Sequence, residues 1–189
     1  MSRAEADEAR FREAALGWLD GLYGFALSLS RDASVAQDLV QETYVRALGA
    51  RRKADPESNL RVWLFVILHN VWRNQIRRTR LDRPADDVAA LLDVPDGSAG
   101  PDQELERKRL RARLREALAA LPGAFRQVVV LRCVEGFSYQ EIAEIVGCPT
   151  GTVMSRLARG RALLRERLRP SLVEAPPGGA RWPRRERIS

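Results

Sequence analysis

Residues 138–168, SYQEIAEIVGCPTGTVMSRLARGRALLRERL, restrict the possible folds more than any other stretch of the chain. Ser138 followed three residues later by Glu141 is a capping box, in which each side chain satisfies an orphan backbone N–H of the other residue, so the spacing predicts a helix from Tyr139. Ile142, Ala143, Ile145 and Val146 give that helix a buried side. Gly147 ends it by taking the left-handed conformation that other residues resist. Cys148 and Pro149 carry a tight turn, and Thr150 is the expected cap of a second helix. On the second helix Val153, Leu157, Gly160 and Leu164 share one face and should pack inward. The opposite face, Gly151, Met154, Ser155, Ala158 and Arg159, is small and flat. A helix seated in a major groove needs such a face, because bulky side chains would hold it away from the base edges. Arg156, Arg161 and Arg165 flank it at positions suited to phosphates. The pattern is that of a helix-turn-helix. The same spacing also suits an ordinary helical hairpin with a solvated basic face, and spacing alone does not choose between them.

The formal charge of +7 over 189 residues favours a polyanionic partner, although a basic surface can also serve solubility alone. Cys133 and Cys148 are too few for a disulfide framework or a four-ligand metal site, and both sit in helix-forming contexts as small buried residues. The charged N-terminus does not resemble a signal peptide, and no run of about 18 apolar residues would insert in a membrane. A soluble, cytoplasmic protein is expected. Paired carboxylates beside a histidine, a phosphate-cradling glycine loop and metal-ligand spacing are all missing from the sequence, so neither an enzyme, nor a cofactor, nor a metal is expected.

Upstream of the helix-turn-helix the chain reads as helices. Residues 11–29 carry apolar side chains at helical spacing, as one packed helix or a pair broken near Gly21 and Gly24. Ser34 with Gln37 is read as a second capping box, opening SVAQDLVQETYVRAL. On that helix Ala36, Leu39, Val40, Thr43, Tyr44 and Ala47 face inward. Gln37, Asp38, Gln41 and Glu42 face outward around Val45, either as a solvated face or as a contact surface with an apolar centre. In NLRVWLFVILHNVWRNQIRRTR, Leu60, Leu64, Ile67, Leu68 and Val71 form a core stripe. Trp63, Asn70, Arg73, Asn74 and Arg77 form a separate one. A ring, two amides and two arginines in line suit unpaired DNA bases and their backbone; a core tryptophan with a solvated helix end is the plainer alternative. Trp72 reads as core, and His69, without a carboxylate or cysteine neighbour, as a bystander.

Residues 81–103 are rich in proline, glycine and aspartate and read as a flexible acidic linker, about 80 Å long if fully extended. Leucines 105, 110, 114, 118 and 121 then mark another helix. Pro122 and Gly123 break it before the nearly all-apolar helix 124–134. From Pro170 onward apolar residues are too few to fold, leaving a basic tail. The expected fold is therefore all-α. It has a helical domain at 11–80, a linker at 81–103, a helix-turn-helix domain at 104–169 and a disordered tail at 170–189.

The order of the pieces is more specific than any one of them. DLVQETYVRAL, then RVWLFVILHNVWRNQIRR, then LPGAFRQVVVLRCVEGFSYQEIAEIVGCPTGTVMSRLARGRALLRERL resembles the extracytoplasmic-function class of bacterial RNA polymerase sigma factors. The likeness spans roughly residues 16–168. It implies sigma region 2 and region 4 domains, and core RNA polymerase and promoter DNA as partners. It makes Asp38, Gln41, Glu42 and Arg46 candidates for docking on the polymerase, at the clamp helices of the beta-prime subunit, with the beta subunit as a further contact. Trp63, Asn70, Arg73, Asn74 and Arg77 match the face that opens and reads the minus-ten element, and the loop 53–58 the pocket for a flipped base. Thr152, Met154, Ser155, Ala158 and Arg159 match the helix that reads the minus-thirty-five element, with Arg156 beside them. An anti-sigma factor is a further implied partner, and the linker would run through the polymerase channel. Met154 and Ala158 depart from the pattern in offering little hydrogen bonding, which shifts specificity towards Ser155, Arg159 and DNA shape. The rival expectation is a helix-turn-helix regulator that acts without joining the polymerase.

Overall fold

The computed structural model describes residues 3–50, 59–82 and 101–173. The order is α1 (Arg3–Leu16), α2 (Leu19–Ser30), α3 (Ala33–Ala50), α4 (Leu60–Asp82), α5 (Pro101–Ala119), α6 (Gly123–Val129) running into a π-helical turn (Val130–Val134), α7 (Tyr139–Val146) and α8 (Thr150–Val173). No strand occurs among the described residues, and no helix there is long and apolar enough to cross a membrane. The loop 53–58, most of the expected linker and most of the tail lie outside the described residues. The helices reach further than the sequence boundaries on three sides: α4 extends to Asp82, α5 begins at Pro101, and α8 passes Pro170 to end at Val173.

The local signals decide most of the helix ends. Ser138 accepts from the Glu141 N–H at 3.2 Å, and the Glu141 carboxylate accepts from the Ser138 N–H at 2.7 Å, so the capping box at α7 is complete. Gly147 closes α7 at φ 65°. Three other ends correct the sequence reading. Asp32, not Ser34, caps α3: its carboxylate accepts from the backbone N–H groups of Ser34 and Val35 and from the Ser34 hydroxyl at 2.6 Å. The Asp32 carbonyl takes the first helical bond, from Ala36. An ionised carboxylate is a stronger acceptor for orphan N–H groups than a hydroxyl, and these bonds, the one from the Ser34 hydroxyl foremost, hold its pKa below the ordinary 3.8. At α8 the Pro149 carbonyl accepts from Thr152 and Val153, which makes Thr150 the first helical residue rather than the cap. The break in the first helical stretch falls at Gly17–Trp18, and Gly21 and Gly24 lie within α2.

The inward faces expected from spacing are inward. Ala36, Leu39, Val40, Thr43 and Ala47 of α3, Leu64, Leu68 and Val71 of α4, Ile142, Ile145 and Val146 of α7, and Val153 and Leu157 of α8 are buried. The Tyr44 hydroxyl, half-buried, donates to the Ala15 carbonyl at 2.9 Å and so ties α3 to α1. Nothing in the spacing predicts that the two halves touch, yet they share one contiguous apolar cluster. Phe25 and Phe65 of the first half join Phe137, Val128 and Leu131 of the second. Cys133 is exposed and Cys148 half-buried, against the expectation of two buried thiols. The π-helical turn adds a residue to the repeat and rotates Cys133 and Val134 to the surface.

Gly160 marks the closest approach of α8 to α6. A Cβ there would stand 2.7 Å from a Val129 methyl and 3.4 Å from the Phe125 Cβ. Alanine would gain up to about 1 kcal/mol in helix propensity. Overpacking against a stiff β-branched side chain costs roughly 1–3 kcal/mol. Gly160→Ala is therefore expected to lose about 1 kcal/mol net and to lower the melting midpoint by about 3 °C in a thermal scan; an unchanged or raised midpoint would mean that α6 yields.

Candidate nucleic-acid and polymerase interfaces

The flat face of α8 is open. Met154 is 51% exposed, and Ser155, Ala158 and Arg159 are exposed beside it, while Val153, Leu157 and Gly160 hold the opposite face in the core. Thr152 is half-buried, and its carbonyl accepts the Ser155 hydroxyl at 3.0 Å. That bond engages the Ser155 proton and leaves its lone pairs free to accept from a base amino group. Arg156 is half-buried, with its guanidinium 3.8 Å from the Cys148 sulfur, which anchors it at the rim. Arg159 is thus the long, fully presented donor on this face, and a guanidinium can span two acceptors on one guanine edge.

On α4, Asn70, Arg73, Asn74 and Arg77 are exposed along one stripe. Trp63, at the head of that stripe, is half-buried, with its ring edge-to-face on Phe11 of α1 at 6.3 Å between centroids. It offers part of a ring face, between the free ring and the core tryptophan that spacing leaves open. Trp72 packs against the core, as expected. His69, the expected bystander, faces the interior. It is buried at 4% exposure, with Nδ1 unpartnered. Its pKa is lowered from 6.5 to about 4, first by loss of water and then by the Arg73 guanidinium, while the Gln127 side chain pulls weakly the other way.

On α3, Asp38, Gln41, Glu42 and Arg46 are exposed around Val45, which at 66% exposure is an apolar knob in a polar ring. Glu42 and Arg46 are already paired on the helix at 2.6 Å. Asp38 and Gln41 therefore present the face's unengaged polar groups to a partner. A partner that covers Val45 would desolvate a small apolar centre inside this rim, the usual anatomy of a specific protein contact.

Sequence reasoning missed the residues that join the halves: Arg61, Phe65 and His69 on α4, and Arg126, Gln127, Glu135 and Phe137 beyond α5. Arg61, Phe65, His69 and Arg73 recur at every fourth position, a row readable in the sequence but masked there by the stronger apolar stripe beside it.

Among the described residues, no group of three or more histidines, cysteines or carboxylates is placed to hold a metal. Comparison with known proteins finds a match for each half. A family model described as Sigma-70 region 2 matches residues 17–81, and one described as Sigma-70, region 4 matches residues 111–164. The ECF RNA polymerase sigma factor EcfG of Rhodopseudomonas palustris is 39% identical over 154 residues, covering 81% of this chain and 82% of that protein. The RNA polymerase sigma factor CarQ of Myxococcus xanthus is 32% identical over 168 residues, covering 84% and 94%. Among solved structures, the sigma factor RpoE in complex with the anti-sigma factor NepR, from Bartonella quintana, superposes with a TM-score of 0.70 at 33% identity, covering 85% of this chain and 97% of that one.

Proposed function

The chain belongs to the extracytoplasmic-function sigma factors of the sigma-70 family, and from that premise we propose how its surfaces divide the work. A sigma factor binds core RNA polymerase and directs initiation at particular promoters. Here the α3 face of Asp38, Gln41, Glu42 and Arg46 docks on the polymerase. The α4 stripe of Trp63, Asn70, Arg73, Asn74 and Arg77 takes unpaired minus-ten bases. The α8 face of Thr152, Met154, Ser155, Arg156, Ala158 and Arg159 seats against duplex at the minus-thirty-five element. Melting follows from binding: bases extruded onto α4 offset an unpairing cost of a few kcal/mol. The work is non-enzymatic and cytoplasmic, where polymerase and promoter are.

The observation that carries this reading is the pair of family matches in order, region 2 on the half with the exposed α4 stripe and region 4 on the half with the exposed α8 face. A helix-turn-helix regulator acting alone would leave the region 2 half without a role and is not favoured. An anti-sigma protein is a partner by the same reasoning. The Bartonella relative that covers both halves was solved with one, and exposed Leu16, Trp18, Leu19 and Val134 offer it apolar contacts beside the line where the halves meet.

Reconstituted transcription with core polymerase tests the assignment. The chain should direct initiation at a subset of promoters, and no initiation at any of them would sink the reading. Arg159→Ala should weaken binding at the upstream element about 10- to 100-fold, the worth of one bidentate base contact. Asp38→Ala should weaken holoenzyme formation about fivefold while leaving the promoter preference of the assembled holoenzyme intact.

A further inference from the structure

The open face of α8 is not uniform. Residues three and four apart stack along a helix, so this face resolves into two rows running side by side. Thr152, Ser155 and Arg159 form one row, which carries the face's hydrogen-bonding side chains: the Ser155 hydroxyl, its proton engaged by the Thr152 carbonyl at 3.0 Å, and the exposed Arg159 guanidinium. Gly151, Met154 and Ala158 form the other row, and all three are exposed, Met154 at 51%. Between them their side chains offer no donor and a single thioether sulfur, a weak acceptor. The core does not take this row, because Val153, Leu157 and Gly160 fill that role from the far side of the helix. Gly151 sharpens the point. A Cβ placed there meets nothing within 4 Å, so no neighbour in the fold requires the missing side chain. Its backbone does not require glycine either, since the glycines with positive φ are Gly136 and Gly147. Glycine is among the weakest helix formers. A residue that weakens its helix and meets no packing need inside the fold fits a close approach from outside it.

In a major groove an apolar row has one feature to read. Guanine and adenine edges present acceptors there, adenine and cytosine present amino donors, and thymine alone carries a methyl group, at C5. An apolar side chain laid over a polar edge strips its water and returns no hydrogen bond. Laid over a thymine methyl, it removes two apolar surfaces from water at once. Met154 is unbranched and soft enough to adapt to the position of the methyl, and the small Gly151 and Ala158 let the helix come close. We propose that the row Gly151, Met154 and Ala158 reads thymine methyl groups in the minus-thirty-five element, with Met154 as the contact, while Ser155 and Arg159 beside it take polar base edges. This deepens the sigma-factor reading above and rests on it. Met154 then determines specificity by exclusion as well as by contact: a G·C pair under the row is disfavoured, because its amino group and carbonyl lose water without replacement.

The test removes the methyl group and nothing else. Core polymerase is assembled with the full-length chain. A promoter at which that holoenzyme initiates is then synthesised with deoxyuridine for thymidine, one position at a time, on both strands of its minus-thirty-five element. Uracil pairs as thymine does and lacks only the C5 methyl. Equilibrium competition should show at least one thymine whose replacement weakens holoenzyme binding about fourfold, the factor for exposing one buried methyl group. Met154→Ala should weaken binding to the thymine promoter by a similar factor and bind the thymine and uracil forms equally, and Met154→Leu should restore the discrimination. Gly151→Leu should weaken binding to both forms at least about fivefold, the low end of what crowding a close contact costs. It should leave the melting midpoint of the free chain unchanged or raised, whereas a glycine needed by the fold would lower it. No uracil-sensitive thymine in the element, a sensitivity that persists in Met154→Ala, or a Gly151→Leu chain that binds as tightly as the original would each overturn the methyl reading. Initiation separates the two claims: a holoenzyme that initiates equally well on thymine and uracil templates sinks the methyl reading alone, and one that initiates at no promoter sinks the sigma reading and the methyl reading with it.

Discussion

Replacing Arg126 with alanine is expected to cost the free chain about 4 kcal/mol and to lower its unfolding midpoint by about 12 °C. Arg126 is 7% exposed, yet its partners are backbone carbonyls. Its Nε donates to Ser28 at 2.6 Å, and one terminal nitrogen donates to Ala119 and Leu121 at 3.0 Å each. Ser28 and Ala119 lie in the last turns of α2 and α5, and Leu121 just beyond α5, where carbonyls have no helical N–H to accept and the helix dipole is negative. One cation thus neutralises the ends of two helices, one from each half. Burial and the neighbouring Arg31, which also donates to Ala119 at 3.3 Å, lower the Arg126 pKa to about 10, so it stays charged at neutral pH. Alanine would strand three acceptors at roughly 1–3 kcal/mol each. Arg31 keeps its bond to Ala119 and water reaches part of the gap, so the loss should fall short of the sum. Arg126→Met keeps most of the volume and none of the donors. A similar loss with methionine assigns the effect to the carbonyls, whereas recovery with methionine would assign it to packing. Urea unfolding followed by circular dichroism measures both, and a loss under about 1 kcal/mol for alanine would mean that the carbonyls are hydrated without the arginine.

What the sequence made legible was local. The Ser138–Glu141 box, the left-handed Gly147 and the inward row Val153, Leu157 and Gly160 each depend on residues within a turn or two, and each is realised. The open α8 face follows from that row, because a helix with one buried side must present the other. The cap of α3 went to Asp32 because two neighbouring oxygens compete for the same N–H groups, and the sequence does not say which wins. An apolar run implies burial only while the helical repeat stays regular, and the π-helical turn changes its phase, so Cys133 is exposed. Spacing leaves Trp63 between a free ring and a core residue because it does not show that α1 folds back and lays Phe11 against the ring. The contact between the halves was out of reach for a different reason. Phe65 and Phe137 are each apolar enough for any core, and spacing within a helix names a face without naming what covers it.

His69 supplies a prediction that reaches the same contact from solution chemistry. It is the chain's one histidine, so a single imidazole resonance reports its titration. In the fold it titrates at about 4, while the unfolded chain titrates near the ordinary 6.5. Above pH 6.5 both forms are neutral there and this group adds no slope. As pH falls from 6.5 to 4, the unfolded chain binds a proton that the folded chain refuses, and stability drops by about 1.4 kcal/mol per unit, roughly 3 kcal/mol in all. Below about 4 both forms carry the proton and this contribution levels off. Carboxylates begin to titrate in the lower part of the window, so the comparison must be with His69→Leu. Between pH 6.5 and 5 the unsubstituted chain should lose about 2 kcal/mol more than that variant in urea unfolding. The groups facing the ring are the Arg73 guanidinium along α4 and the Gln127 side chain from α6. Burial is the leading cause of the shift, and the Gln127 side chain that meets the ring comes from α6, which belongs to the other half. An imidazole that titrates near 6.5 in the folded chain would therefore mean that water reaches it and that the halves stand apart in solution, whereas a value near 4 would match the buried ring beside Gln127.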